Sequence, residues 1–296
     1  MITLSSLLYR LPSGIVQGLI YGIMALGIYI TFRILNVSDL TADGSFATGA
    51  AVAAVLITSG VNPIFAILCA FITGCLCGMV TALLHTKLKI PAVLSSILVQ
   101  LALYSIDYKI TSGKSMISLN PDVVNVILTS REKIKPIIVV LLFAIVIILL
   151  LYWFFGTEIG SAIRASGNNI KMAKANGINT NTMSIIGLAL SNGIIALAGS
   201  LAAQYNAAYE INMGKGAIVI GLAAIIVGEV ISSLLFKKSV SFFLRFSFVQ
   251  LGGILYYLIM IIILWLRVDS SDLKLFTALL VAIILAIGKR KEKGEN

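Results

Sequence analysis

Residues 157–179, TEIGSAIRASGNNIKMAKANGIN, form a polar island in a chain that is otherwise mostly apolar. Apolar runs close in on both sides, Pro136–Phe155 before it and Met183–Ala203 after it. The island reads as a helix rather than a loop. Ala162, Ile163, Ala165, Met172, Ala173 and Ala175 are good or tolerable helix formers. Glu158 lies before the first turn and Lys171 and Lys174 in the last, so both ends complement the helix macrodipole. Gly177 stands where a left-handed C-cap belongs. A polar helix held between two apolar runs is a surface for a second protein, and the runs themselves set the fold class.

Of the 296 residues, 59% are hydrophobic and 11% charged, against about 25% charged in soluble domains. Mean hydropathy is +1.05. Runs near the length of about 20 residues that a helix needs to cross a bilayer recur along the chain. They cover 14–35, 44–59, 62–84, 92–108, 136–156, 180–203, 216–235, 246–266 and 272–288. A membrane barrel would show short alternating segments instead. The expectation is an all-α polytopic membrane protein of about nine transmembrane helices. The second and fourth runs are short and interrupted; if one is re-entrant, the count becomes about eight or ten.

The net charge of +10 does not mark a nucleic-acid binder. The positive residues fall between apolar runs and in the tail 289–296, a pattern that suits cytoplasmic loops and anionic membrane lipids. The tail is expected in the cytoplasm. Counting back places the Lys237/Lys238 loop, the island, the His85–Lys89 loop and the Arg33 loop on the same side, with the N-terminus outside. Residues 111–135 then lie outside, although the stretch from 109 carries Lys109, Lys114, Arg131, Lys133 and Lys135. Before Gly14 the only charge is Arg10, and no cleavable signal is read there. Cys69, Cys75 and Cys77 share one apolar run and read as buried small hydrophobes, with no disulfide and no metal site.

The two halves resemble each other. Gly22-Ile-Met-Ala-Leu26 parallels Gly193-Ile-Ile-Ala-Leu197, and Gly44–Ala51 parallels Gly216–Ala223, at offsets of 171 and 172 residues. The copies are separated by an odd number of spans, so they run oppositely through the membrane. Inverted repeats of this kind mark transporters.

Each copy carries a polar, helix-weak stretch in the same place: Asn36–Ser45 in the first, Gln204–Gly214 in the second. Helix breaks at matching positions are pointers to a transport site. Asp39, Asp43 and Glu210 suit an ammonium group. Tyr205, Asn206, Tyr209 and Asn212 suit stacking and hydrogen bonding, and Thr41 and Ser45 add hydroxyls. The alternative is an ordinary solvated loop with Asp43 or Ser45 as an N-cap. Gln100, Tyr104 and Asp107 share a face of the fourth run and either line a pathway or pair with neighbouring helices. Glu229 is an intramembrane carboxylate and a functional candidate, or an interfacial residue near the Lys237/Lys238 loop.

No phosphate-binding G-x-x-x-x-G-K-[S/T] loop is present, nor H-E-x-x-H or G-x-S-x-G. The chain is therefore not expected to be an enzyme or to bind cofactors of its own.

The block Gly18–Gly27 through Asp43-Gly-Ser-Phe-Ala-Thr-Gly-Ala50 resembles permease subunits of ABC importers for branched-chain amino acids and simple sugars. The island adds Gly160-Ser-Ala-Ile-Arg164-Ala165 and Ala173-Lys-Ala-Asn-Gly177-Ile, which are similar to the cytoplasmic segment of the same family. The stretch N-V-S-D-L-T-A-D-G-S-F suggests the branch serving tryptophan, tyrosine or uncharacterised solutes. Glu229 departs from the Gly-rich pattern expected after Gly228. The resemblance implies one permease domain over 1–296: repeat 1 at about 14–110, an external segment at 111–135, a coupling helix at about 158–177, repeat 2 at about 180–288 and a cytoplasmic tail. It implies alternating access in the bacterial cell membrane, a second permease chain as homodimer partner, two ATPase subunits that carry ATP and Mg, and an extracellular or lipid-anchored solute-binding protein. The ATPase contact would fall on Glu158, Arg164, Ala165, Asn168, Asn169, Lys171, Lys174 and Gly177. A secondary transporter driven by an ion gradient is the competing expectation, with Asp39, Asp43, Asp107, Glu210 and Glu229 as ion or proton ligands.

Overall fold

The computed structural model describes residues 4–236 and 241–265. The ninth expected span at 272–288, the tail 289–296 and the Lys237/Lys238 loop lie outside the described residues. Among those described, eight helices are long and apolar enough to cross a membrane.

The first helix, α1 (Leu4–Tyr29), continues as a π-helical turn, Ile30–Ile34, that carries Arg33. Then come α2 (Thr41–Thr58), α3 (Pro63–Thr86) and α4 (Ala92–Ile110). After a non-helical stretch follow α5 (Lys135–Gly156), two short helices α6 (Glu158–Asn168) and α7 (Ile170–Ala175), and α8 (Thr180–Tyr205). The last two described are α9 (Ala217–Leu235) and α10 (Phe242–Trp265). Local chemistry sets several starts: the Asn62 side chain accepts from Ile64 N with Pro63 in the first turn, and Asn179 caps α8 at Thr182 N.

The packing partners exchange when the halves are exchanged. The sixth span, α8, lies against α3 and α2; the first, α1, lies against α10 and α9. The correspondence α1 with α8, α2 with α9 and α3 with α10 carries one set of contacts onto the other. Each pair is five spans apart, so the paired helices run in opposite directions. Small residues make the close contacts, as expected where lipid removes the hydrophobic drive between helices. A Cβ at Gly78 of α3 would stand 2.2 Å from the Leu188 carbonyl of α8, and one at Gly253 of α10 would stand 2.8 Å from the Gly18 carbonyl of α1.

The three central helices are α1, α2 and α8, whose apolar windows are 72–78% buried, against 28% for α4 and α5. The outward apolar side chains of α3, α4 and α5, among them Leu68, Leu101 and Leu149, face the bilayer or a second chain.

In the segment between α4 and α5, Met116–Ser118 (β1) pairs antiparallel with Ala208–Glu210 (β2), the one small ribbon among the described residues. Arg131 bonds both oxygens of Asp122 there and holds that carboxyl below the ordinary range. The structure departs from the sequence reading in three places. His85 sits in the last turn of α3, its Nδ1 2.8 Å from the Ile90 carbonyl, rather than in a loop. Arg33 is part of the π-helical turn rather than of a connecting loop. Finally, the island is two helices, because Asn169 adopts an extended conformation between them (φ −153°, ψ 101°).

Candidate functional site at the two helix breaks

The first break is the turn between α1 and α2. Asn36 takes a left-handed conformation (φ 55°) that reverses the chain, a state Asn tolerates better than most residues. Asp39 then points into the bundle. Its Oδ1 accepts from Thr41 N at 2.9 Å and its Oδ2 accepts from Asn192 Nδ2 at 2.7 Å. Ser45 Oγ donates to Asn192 Oδ1 at 2.7 Å. A carboxylate only accepts, so the Asn192 amide must offer its NH2 to Asp39 and its oxygen to Ser45. Thr41 and Thr81 share a hydroxyl bond of 2.8 Å, and Ser191 donates to the Gly27 carbonyl at 2.7 Å. None of Asp39, Thr41, Ser45 or Asn192 is more than 3% exposed. This network ties the first-half break to the middle of the central second-half helix.

The second break is the segment between α8 and α9. Ala207 (φ 53°) and Gly216 (φ 87°) turn the chain at its two ends. The N-terminus of α9 leaves backbone N–H groups without helical acceptors. Asp43, a residue of α2, supplies them: Oδ2 accepts from Gly216 N at 2.9 Å and Oδ1 from Ile218 N at 2.8 Å. A carboxylate at that end also suits the helix dipole. Gly214 permits the approach, since a Cβ there would stand 2.0 Å from the Asp43 carbonyl oxygen. Neither Asp43 nor Ser45 therefore caps its own helix, the alternative the sequence left open. Asp39 bonds the first N–H of α2, and Asp43 caps the corresponding helix of the other half.

The remaining candidates divide by exposure. Tyr205 and Tyr209 are buried; Asn206, Glu210 and Asn212 are exposed. Asn206 Oδ1 accepts from Gln17 at 3.4 Å. Gln100 is half-buried behind Gly44. Tyr104 is exposed, with Lys215 Nζ 6.0 Å from its ring centre. Asp107 was only one of three residues on a face, yet it is 1% exposed, and its Oδ1 has no hydrogen-bond partner among the described residues. The same holds for the hydroxyl of Tyr209, which interacts electrostatically with Asp107. Buried polar atoms without partners mark candidate sites. Asn192 escaped the sequence reading altogether; the signal was the Ser191-Asn192 pair in the middle of an apolar run. Glu229 forms an ion pair with Arg33, which joins the second half of α9 to the π-helical end of α1.

The island stands beside the first break. Thr157 accepts from Gly160 N, Asn169 accepts from Met172 N, and Ile178 N bonds the Ala173 carbonyl around Gly177 (φ 77°), so three of the four ends are capped by local side chains or a left-handed turn. Asn169 is thus a cap and hinge as well as an exposed residue. Ile163, Ser166 and Ala173 turn inward, and Ala165 is half-buried. Glu158, Asn168, Lys171 and Lys174 are exposed. So are apolar side chains: Ile159 at 47%, Ile170 at 57% and Met172 at 61%. Gly167 seats α6 on the break itself; a Cβ there would stand 1.8 Å from the Ile34 carbonyl oxygen.

Residues 11–286 match the family described as branched-chain amino acid transport system, permease component. The chain belongs to that permease family. It is 41% identical over 272 residues to a tyrosine transport system permease protein of Clostridioides difficile, covering 92% of this chain and 89% of that protein. It is also 33% identical over 279 residues to an uncharacterised protein of Rickettsia prowazekii, covering 93% of this chain and 96% of that protein. No solved structure gives a significant match. The permease is thus a multi-pass membrane component of a transport system.

Proposed function

We propose that this permease is the membrane subunit of an ABC importer that moves an amino acid, aromatic as the name of its C. difficile relative suggests, inward by alternating access. In this reading the α6–α7 side is cytoplasmic, two copies of the chain form the pore, a solute-binding protein delivers from the β1–β2 side, and separate ATPase subunits carry ATP and Mg. The observation that carries it is the seating of α6 on Ile34 and Leu35, a few residues before Asp39 and its bonds to Asn192 and Ser45. A push on the island is delivered to the buried polar junction of Asp39, Ser45 and Asn192 between the halves. The face offered outward joins the Ile159, Ile170 and Met172 side chains to Lys171, Lys174, Asn168 and Glu158, a mixed apolar and charged surface of the kind proteins dock on. The solute path runs past Glu210, Asn212, Asn206 and Tyr104 at the outer mouth towards Asp107, Tyr209, Gln100 and Asp43.

The test is uptake of tyrosine into proteoliposomes that contain the permease with and without its ATPase. Uptake should require ATP and the ATPase. Gly167→Ala should cut ATP-driven uptake by at least about tenfold, because the bound ATPase can no longer press α6 against the break. Uptake that persists without any ATPase and collapses with an ionophore would replace this reading with the ion-driven one.

A further inference from the structure

A cleft of about 380 Å³ opens at the end of α5, lined by Tyr152, Trp153, Phe155, Thr157, Arg164 and Phe242. Its walls come from the last turn of α5 and the consecutive α6, closed by the start of α10, which is distant in sequence. The chemistry is that of a membrane interface. The α5 span, with mean hydropathy 3.3, ends here, and Tyr152 and Trp153 stand more than half exposed where interfacial aromatic residues gather. Phe155 and Phe242 form an aromatic floor with ring centres 5.4 Å apart. The Arg164 guanidinium lies 5.4 Å above the Phe242 ring. Among the described residues, no carboxylate is in ion-pair range of Arg164. The cleft therefore offers an exposed, unpaired, planar cation held over an aromatic surface at the level of lipid headgroups.

We propose that this cleft binds an anionic phospholipid, with the headgroup phosphate on Arg164 and the upper acyl chain against Tyr152, Trp153 and Phe242. A guanidinium suits phosphate because its N–H groups pair with two oxygens at once, while its face stays on the ring. A zwitterionic lipid would bring its own cation towards Arg164 and is disfavoured. This gives Arg164 a role different from its neighbours on the island: Lys171 and Lys174 face outward, whereas Arg164 turns to the membrane side. The site needs only that α5 spans the bilayer, so it stands or falls separately from the import reading.

Trp153 is a built-in reporter. The full chain with Trp265→Phe is placed in nanodiscs in which brominated phosphatidylglycerol or brominated phosphatidylcholine is the minor component, and quenching of the remaining tryptophan is measured. The expected result is about a fivefold preference for the anionic lipid, the ratio that corresponds to about 1 kcal/mol per basic residue near the surface. Arg164→Gln should bring the two lipids near parity, Arg164→Lys should retain part of the preference, and Lys171→Gln should leave it intact. Parity in the unmodified cleft, or an unchanged preference in Arg164→Gln with native helix content, would overturn the proposal. Loss of the preference on adding inorganic phosphate would assign the site to a free anion and overturn its lipid assignment.

Discussion

The breaks at Asn36–Leu40 and Asn206–Gly216 occupy the same place in the two halves, yet they are built oppositely. The first is cross-linked to the interior through one buried residue: Asp39 accepts from the first N–H of α2 and from Asn192, and Ser45 completes the bridge. The second is open: Asn206, Glu210 and Asn212 are exposed, its strand leans on the 111–134 segment, and the helix that follows depends on Asp43 from the first half. An inverted repeat thus divided its labour. In the import reading proposed above, one break is the joint between halves and the other the mouth, and the helix after the second depends on Asp43 of the first half.

Asp39→Ala is the largest way to break this contrast. It removes the acceptor of Thr41 N and Asn192 inside the bundle, and it should lower stability by about 2–3 kcal/mol and abolish uptake. Thermal unfolding in detergent reads this directly; native-like melting would mean that the first break is no joint. Asp39→Asn should fall between, because an amide has one oxygen to offer where the carboxylate used two.

Asp43→Ala comes next, at about 1–2 kcal/mol for a lost helix cap, and hydrogen exchange should show the extra opening in the first turns of α9 rather than in α2. Opening confined to α2 would return Asp43 to the role of a local cap. Glu210→Ala, its counterpart at the open break, should change stability by less than about 0.5 kcal/mol and act on the apparent KM for solute. Equal destabilisation by the Asp43 and Glu210 variants would erase the distinction between joint and mouth.

Asp107→Asn sharpens the description of the mouth. It keeps the volume and the reach to Thr48 but removes the charge of a buried group whose Oδ1 has no partner among the described residues, so stability should hold while uptake falls by about tenfold or more, the usual cost of losing one charged contact. The smallest effect is expected from Glu229→Gln. Its pair with Arg33 is partly exposed, so a double-mutant cycle should return about 0–1 kcal/mol. A coupling well above that range would make the C-terminal ends of α1 and α9 a second joint.

Much of the fold was legible because bilayer crossing imposes length and apolarity on each span directly. Eight of the nine expected spans correspond to helices; the ninth lies outside the described residues. The helix ends of the island were also legible, since Glu158, Lys174 and Gly177 act within one turn of where they stand. Its break went unread although Ser166-Gly167-Asn168-Asn169 is a run of turn formers, because the helix formers on both sides outweighed it; the cap bond from Met172 N to Asn169 fixes where the second helix starts. At the breaks, composition showed that Asp39, Asp43 and Ser45 mattered without showing to whom. Their partners, Asn192, Gly216 and Ile218, lie 147 to 175 residues away, beyond anything local spacing encodes.

By itself, then, the sequence determined that this is a multi-pass α-helical membrane protein with matched interruptions and a polar segment between its halves, because hydropathy and helix-end chemistry act over one span or less. Only the tertiary structure decided which interruption is tied to Asn192, whose helix Asp43 caps, that Asp107 is enclosed with its Oδ1 unpartnered among the described residues, and that Arg164 lies over the Phe242 ring. Those outcomes depend on which helix faces which, and that is set by the packing of small residues across the bundle rather than by any one stretch of chain.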